Sequence, residues 1–255
     1  MTARHTHLVF DSQIGGTKPV TVVDVGHKCP FCNRDELTGV IAADGPLLLI
    51  ANKYPVLQET FQTVLIETED CAGELSLYPK DHLYRLIRFG IRNWLDMTDG
   101  GEFTSVLFFK NHGPNSGGTI CHPHMQIVGL RHIDYTANIP PESLAGSVIS
   151  SNGGVTLSIA DKPLIGFVEL NVRLTDLGQI DCMADYLQIC AHYLLNHFNR
   201  YCNSYNIFFY NINGQITAKV MPRFVTSPIF VGYAIPQLST RIPAVVADLK
   251  KIYEL

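Results

Sequence analysis

The residues best suited to chemistry lie close together, between positions 109 and 126 of the sequence. A glycine-rich loop comes first, and its glycines allow backbone N–H groups to turn inward and bind phosphate oxygens; they are Gly113, Gly117 and Gly118. The motif His122-Pro123-His124-x-Gln126 follows directly. On a strand these three side chains share one face, because side chains alternate. Two imidazoles and an amide beside an anion-binding loop outline a reaction site.

His124 has two interpretations. Imidazole is neutral and nucleophilic near pH 7 and is also a good leaving group, so a histidine intermediate divides one group transfer into two easier steps. The loop amides and Gln126 could hold the charge of the phosphoryl oxygens. The alternative is a core histidine that faces inward from a strand, and the complete motif favours the nucleophile over it.

A second candidate site is Cys29-x-x-Cys32. Two thiolates at this spacing on a turn can reach adjacent corners of a tetrahedron, which is typical of half of a zinc site. The same spacing occurs in redox pairs, but these need a helix that opens at the motif, and the segment 33–39 is too short to predict one. Seven cysteines is an odd number, so a disulfide framework is not expected.

Composition excludes several classes of protein. The chain has 255 residues, of which 46% are hydrophobic and only 16% charged, so we expect a globular fold with a substantial core. A formal net charge of -4 gives no basic footprint for nucleic acid or an anionic membrane. We find neither a signal sequence nor a membrane-spanning stretch, and therefore expect a cytoplasmic protein without nucleic-acid or membrane partners.

Periodicity predicts the elements that must position these residues. In the first half, a helix capped by Asp81 carries apolar residues at helical spacing, and the predicted strands are 20–25, 47–51, 61–67, 103–110 and 124–130. In the second half, strand 165–172, helix 181–201, strand 205–212, a turn at Asn213-Gly214 and strand 215–221 follow in the same order. The two helices start 100 positions apart, which predicts an internally duplicated α+β fold.

The stretch from Phe109 to Gln126 resembles the galactose-1-phosphate uridylyltransferase branch of the histidine-triad (HIT) superfamily. The signature of this branch is Asn-x-Gly, a short Gly/Ser loop and His-Pro-His-x-Gln, and it is matched here without a gap. The resemblance implies a HIT-like fold with antiparallel sheets and helices packed on them. It assigns His124 as the nucleophile that attacks the α-phosphorus of a nucleotide, and Gln126 as the residue that steadies the phosphoryl oxygens. It also assigns nucleotide binding to the loop glycines and to Asn52, Asn111 and Thr119.

The resemblance also implies a zinc site. The related transferases bind zinc through two cysteines at this position, a residue just after the third strand and the first histidine of His-Pro-His. The implied ligands in this sequence are Cys29, Cys32, Cys71 and His122, with cysteine in place of histidine at position 71. Zinc held by His122 would fix the strand two residues from the nucleophile.

The likeness is strong from Cys29 to Leu130 and thinner up to Gln237. Where the transferases place metal-binding histidines and a hexose-binding glutamate, this sequence has Ala218, Lys219 and Ala234. We therefore expect no second metal, and galactose specificity is not carried over. Lys219 and Arg223 could hold an acceptor phosphate or be solvated on a strand edge.

Two lobes are expected: residues 1–135 with the zinc site and the His-Pro-His-x-Gln motif, and residues 136–255. The implied function is a nucleotidyltransferase that acts on a nucleotide sugar, with a sugar phosphate or phosphate as acceptor, through a covalent nucleotidyl-histidine. The alternatives are a hydrolase that uses the same histidine and a zinc-containing nucleotide-binding protein that has lost catalysis. The resemblance also implies a homodimer.

Overall fold

The computed structural model describes residues 7–22 and 29–255. In these ranges the strands are β1 (Val40–Asp44), β2 (Leu47–Ala51), β3 (Thr60–Ile66), β4 (Ser105–His112), β5 (His124–Leu130), β6 (Gly146–Asn152), β7 (Val155–Ala160), β8 (Gly166–Phe167), β9 (Leu170–Leu174), β10 (Tyr205–Ile212), β11 (Gln215–Pro222) and β12 (Gln237–Leu238). The helices are α1 (Ser12–Gly16), α2 (Lys80–Asp99), α3 (Ile180–Tyr193), α4 (Pro228–Tyr233) and α5 (Ile242–Tyr253). None of the helices in the described ranges is both long enough and apolar enough to cross a membrane.

Ten of the strands form one sheet in the order β1-β2-β3-β5-β4-β10-β11-β9-β7-β6. From one edge inward the first half reads β1-β2-β3-β5-β4, and from the other edge inward the second half reads β6-β7-β9-β11-β10. In each half, the two strands nearest the centre of the sheet are therefore in reversed chain order. The halves join where β4 pairs antiparallel with β10, with Phe109 opposite Phe208. The fold is thus α+β and internally duplicated, as predicted, and the two halves share a single sheet.

Helices α2 and α3 pack on one face of this sheet. The ring of Phe108 on β4 lies 5.8 Å from that of Trp94 on α2, and Trp94 Nε1 donates a hydrogen bond to the Val106 carbonyl at 2.9 Å. Burying an aromatic side chain in this way contributes roughly 1.5–3 kcal/mol. Because side chains alternate along a strand, residues at the alternate positions of β4 point to the opposite face, where three of them line a cavity; they are Leu107, Phe109 and Asn111.

The structure corrects three of the predicted elements. Helix α2 starts at Lys80 with Pro79 at its N-cap, so Asp81 lies in the first turn and is not the cap. The predicted strand 165–172 is divided into β8 and β9, because Phe167 has a φ of 65° that breaks the extended chain. The predicted helix 181–201 ends as a regular α-helix at Tyr193 and continues as a π-helical turn, Leu194–Phe198.

The predicted strand 20–25 falls partly outside the described residues. Positions 20–22 do not form a strand. Instead, Thr21 N–H donates to the Thr119 carbonyl at 2.8 Å, and Cys121 N–H donates to the Thr21 hydroxyl at 2.9 Å. The N-terminal segment therefore lies against the chain that links the glycine loop to the His-Pro-His motif.

Candidate active site and metal centre

A cavity of about 660 Å³ lies on the face of the sheet opposite α2. Its floor is formed by β3, β5 and β4, and its walls come from the glycine loop, the chain after β2 and the N-terminal segment. Seven of the eight predicted catalytic and nucleotide-binding residues line it: Asn52, Asn111, Gly117, Gly118, Thr119, His124 and Gln126. The fold thus brings together side chains from positions 52 to 126 of the sequence.

His124 is the first residue of β5 and only 7% of its surface is exposed. Its Nδ1 lies 2.8 Å from the carbonyl oxygen of His122. A carbonyl can only accept a hydrogen bond, so Nδ1 carries the proton and Nε2 keeps the lone pair of the neutral ring. Burial lowers the pKa of His124 to about 4. The imidazole is therefore uncharged and has a free nitrogen at neutral pH.

The glycine loop between β4 and β5 is held by its own hydrogen bonds. Ser116 Oγ donates to the Gly113 carbonyl at 2.6 Å and accepts from Gly118 N–H at 3.3 Å. Gly117 has a φ of +86°, and a Cβ there would meet no atom within 4 Å, so its backbone faces open space. The corresponding strands of the second half, β10 and β11, are joined by only two residues. A loop of this kind therefore occurs in the first half alone.

Gly113 is the predicted nucleotide-binding residue that does not line the cavity. Its φ is +82°, and a Cβ at this position would lie 2.1 Å from the carbonyl oxygen of Asn203. Gly113 is thus needed where the loop passes close to the backbone of the second half. Gly113 therefore packs against the second half and does not face the cavity.

The other predicted cluster also forms. The ligand atoms of Cys29, Cys32, Cys71 and His122 all lie within 4.8 Å of one another. His122 Nδ1 is 3.6 Å from Cys29 Sγ and 3.7 Å from Cys32 Sγ. A tetrahedral zinc with bonds of about 2.3 Å to sulfur and about 2.0 Å to nitrogen requires an S···N separation of about 3.5 Å, close to both observed distances. Three thiols and one imidazole at these distances can hold a metal ion, and the donor set fits zinc.

Hydrogen bonds to the turn that begins at Thr68 orient two of these ligands, His122 and Cys71. His122 is fully buried, and its Nε2 donates to the Thr68 carbonyl at 2.9 Å, so Nδ1 is the nitrogen that faces the thiols. Thr68 also begins the turn that carries Cys71. Its hydroxyl accepts a hydrogen bond from Asp70 N–H at 3.1 Å and so stabilises this turn. The histidine and the third cysteine are thus fixed to each other without a metal.

Sequence reasoning missed three residues beside the site. Phe31 lies between the two cysteines of the motif, lines the cavity, and its ring centroid is 5.6 Å from that of His124 in an edge-on arrangement. Lys18 lines the cavity from the N-terminal segment and is half-buried. Asn206, on β10, donates to Asn111 Oδ1 at 2.6 Å. Phe31 could have been found from its place between two candidate ligands; nothing in the pattern marked the other two.

Both expectations for Lys219 are wrong. Its side chain is fully buried, because β11 is an interior strand paired with β10 and β9. Nζ lies 2.8 Å from Glu169 Oε2 and donates to the Ser143 carbonyl at 2.7 Å. Lys219 therefore forms a buried ion pair and is neither a phosphate ligand nor a solvated edge residue. Arg223 follows β11, is half-buried and does not line the cavity.

Solved structures with this architecture identify the class of fold. An ADP-glucose phosphorylase from Arabidopsis thaliana is 15% identical, with a TM-score of 0.69 and 93% of each chain covered. A uridylyltransferase is 15% identical, with a TM-score of 0.67, over 90% of this chain and 92% of that one. The chain thus has the same fold as this uridylyltransferase and this phosphorylase.

Within this class of fold the chain belongs to the DUF4931 family, whose description is a domain of unknown function. The models of its N-terminal and C-terminal domains match residues 10–133 and 136–254. The crystal structure of a DUF4931 family protein, BCE0241 from Bacillus cereus ATCC 10987, is 44% identical and has a TM-score of 0.78. That match covers 85% of this chain and 100% of the other.

Two curated relatives match shorter stretches. A di-/tripeptide transporter of Lactobacillus helveticus is 33% identical over 90 residues, which are 35% of this chain and 18% of the transporter. Diadenosine 5',5'''-P1,P4-tetraphosphate phosphorylase 2 of Saccharomyces cerevisiae is 31% identical over 106 residues, which are 40% of this chain and 31% of the phosphorylase. The chain therefore spans less than a third of the length of either curated relative.

Proposed function

We propose that this chain is a nucleotidyltransferase that moves a nucleoside monophosphate from a nucleotide sugar to phosphate or a sugar phosphate through a covalent adduct on His124. The observation that carries the proposal is the state of His124. It is buried, neutral at pH 7 and protonated on Nδ1, which leaves the Nε2 lone pair on a residue that lines the cavity beside the glycine loop. That two proteins with the same fold are a uridylyltransferase and an ADP-glucose phosphorylase agrees with this proposal.

In the first step, Nε2 attacks the α-phosphorus of the nucleotide and forms a phosphorus–nitrogen bond. The phosphoanhydride bond to the leaving phosphate breaks, and the sugar phosphate departs with that electron pair. The imidazole becomes positively charged, and the His122 carbonyl that accepts from Nδ1–H stabilises this charge. In the second step, a phosphate oxygen of the acceptor attacks phosphorus, the phosphorus–nitrogen bond breaks and neutral His124 returns.

The loop and Gln126 supply donors for the transferred phosphoryl group. Gly117, Gly118 and Thr119 line the cavity on the loop side. Gln126 lies two residues after His124 on the same face of β5, and its amide has no hydrogen-bond partner elsewhere in the described chain. Donors that are already in place stabilise phosphoryl charge without reorganisation. Lys18 would add a positive charge at the same cavity, while Asn52 would contact the nucleoside.

Zinc is the metal proposed for the Cys29, Cys32, Cys71 and His122 cluster. Bound there, it would hold geometry and take no part in the chemistry, since all four positions of a tetrahedron would be filled by protein ligands. The chain's own contribution is that His122 offers its carbonyl to His124 Nδ1 and its ring to the cluster. One residue therefore connects the metal centre to the nucleophile.

The donor and the acceptor can be determined in one assay. The protein is incubated with UDP-glucose or ADP-glucose, with and without inorganic phosphate or a hexose 1-phosphate, and the products are followed by ³¹P NMR. We expect a nucleoside diphosphate or a new nucleotide sugar to form only when an acceptor is present. The His124→Ala variant should be inactive, and His197→Ala, which removes an exposed histidine outside the cavity, should behave as wild type.

Other outcomes would replace the proposal. Release of a nucleoside monophosphate in water without any acceptor would identify a hydrolase. Nucleotide binding without turnover, in folded and zinc-loaded protein, would identify a binding protein. Equal activity of His124→Ala and the wild type would rule out the covalent mechanism.

A further inference from the structure

We propose that Asn206, contributed by the second half of the sheet, is a positioning residue that turns the side-chain amide of Asn111 toward the phosphate-binding part of the cavity. The proposal rests on the proposed function, because it assumes that the loop and Asn111 bind a phosphate group. It gives the second half of the duplicated fold a role in a site that otherwise belongs to the first half.

The geometry around Asn206 fixes the direction of its amide. Asn206 lies opposite Asn111 in the β10–β4 ladder and is only 1% exposed. Its Nδ2 lies 2.6 Å from Asn111 Oδ1, 3.0 Å from the Ser116 carbonyl and 3.4 Å from the Lys110 carbonyl. All three neighbours are acceptors in this arrangement. Only the NH₂ group satisfies them, and its two hydrogens match the two shorter contacts.

The orientation of the Asn206 amide determines that of the Asn111 amide. Its Oδ1 is occupied by Asn206, so its own NH₂ group is left to face other partners. Asn111 lines the cavity, and its side chain packs against Gly118, where an added Cβ would lie 3.2 Å from Asn111 Cβ. The arrangement therefore presents two N–H donors beside the loop. With the amide reversed, an oxygen would face the phosphate oxygens and repel them.

Asn206 also holds the loop itself. The Ser116 carbonyl that it binds belongs to the residue whose hydroxyl connects Gly113 to Gly118. A buried amide in the middle of a sheet is costly unless it is fully bonded, and here both of its protons hold the loop side of the site. Asn171 provides a comparison within the same half. It is fully buried on β9 and donates to the Ser143 carbonyl at 3.3 Å, but it bonds neither to Asn111 nor to the glycine loop.

The test is a double-mutant cycle on nucleotide binding, measured by calorimetry with uridine 5'-monophosphate and adenosine 5'-monophosphate. Asn206→Ala and Asn111→Ala should each weaken binding about tenfold, since each removes one arm of the same hydrogen-bonded unit. In the Asn111→Ala background, Asn206→Ala should then cost less than about threefold. Asn206→Asp, which keeps the shape but places an acceptor among three oxygens, should weaken binding at least as much as alanine does.

The matched control is Asn171→Ala, which removes a buried amide of the same half and should change nucleotide affinity less than about twofold while lowering stability. Additive effects in the cycle, or equal losses of affinity in Asn206→Ala and Asn171→Ala, would overturn the positioning role.

Hydrogen exchange gives a readout that does not depend on the proposed function. If wild type binds neither nucleotide, the proposed function fails, and exchange of the loop amides decides the positioning role. Faster exchange at Ser116 to Gly118 in Asn206→Ala, but not in Asn171→Ala, supports it. Unchanged exchange in that loop overturns it.

Discussion

Replacing Cys71 by serine tests the metal centre at its least expected ligand. In wild type we predict one tightly bound zinc per chain, because four donor atoms lie within 4.8 Å of one another and the two S···N distances from His122 are 3.6 and 3.7 Å. Structural zinc sites bind with apparent free energies of about 10–16 kcal/mol. Loss of one of four ligands should remove roughly a quarter of this, about 3 kcal/mol, which weakens zinc binding about 100-fold.

The assay is competition with a chromophoric zinc chelator, followed by elemental analysis of the purified protein. The matched control is Cys121→Ser, because this exposed cysteine lies next to His122 in sequence but is not part of the four-residue cluster. It should bind zinc like wild type. Equal zinc affinities in Cys71→Ser and wild type would refute the assignment of the fourth ligand, and folded wild type without zinc would refute the metal centre.

Two further predictions concern stability. Lys219→Met should lower the free energy of unfolding by about 3 kcal/mol, measured with urea, because it leaves the buried Glu169 carboxylate with backbone N–H donors but no cation; a loss below about 1 kcal/mol would contradict the buried pair. Gly113→Ala should destabilise the protein by more than about 2 kcal/mol because its Cβ meets the Asn203 carbonyl, whereas Gly117→Ala should cost about 1 kcal/mol and act mainly on turnover. Equal melting temperatures of these two glycine variants would show that the loop does not pack as described.

The sequence predicted the strands around the site better than the edges of the sheet. The bounds predicted for β5 and β10 agree with the structure, because both strands are continuous apolar or alternating runs that end at turn residues. β1 was not predicted; it is a mostly exposed edge strand whose four consecutive apolar residues show no alternation of polar and apolar positions. α5 was not predicted either, although its apolar residues follow helical spacing and five of them pack on the core: Ile242, Val245, Val246, Leu249 and Tyr253.

The candidate site was predicted where it lies within one segment and missed where it depends on how the halves pack. The His-Pro-His-x-Gln motif and its loop are contiguous, so their spacing alone indicated a site. Lys219 was misjudged because the pairing of β11 with both β10 and β9, which makes β11 interior, is a tertiary feature. Asn206 lies 95 positions from Asn111, and no local pattern reports such a contact.

The most direct test of the central claim is the mass of the intact protein after brief incubation with nucleotide sugars and nucleoside triphosphates. Wild type and His124→Ala are compared after both have been shown to be folded and zinc-loaded. The covalent mechanism predicts that wild type alone gains the mass of one nucleoside monophosphate, and the size of the increment names the base. No increment on wild type with any donor, or the same increment on His124→Ala, would contradict it.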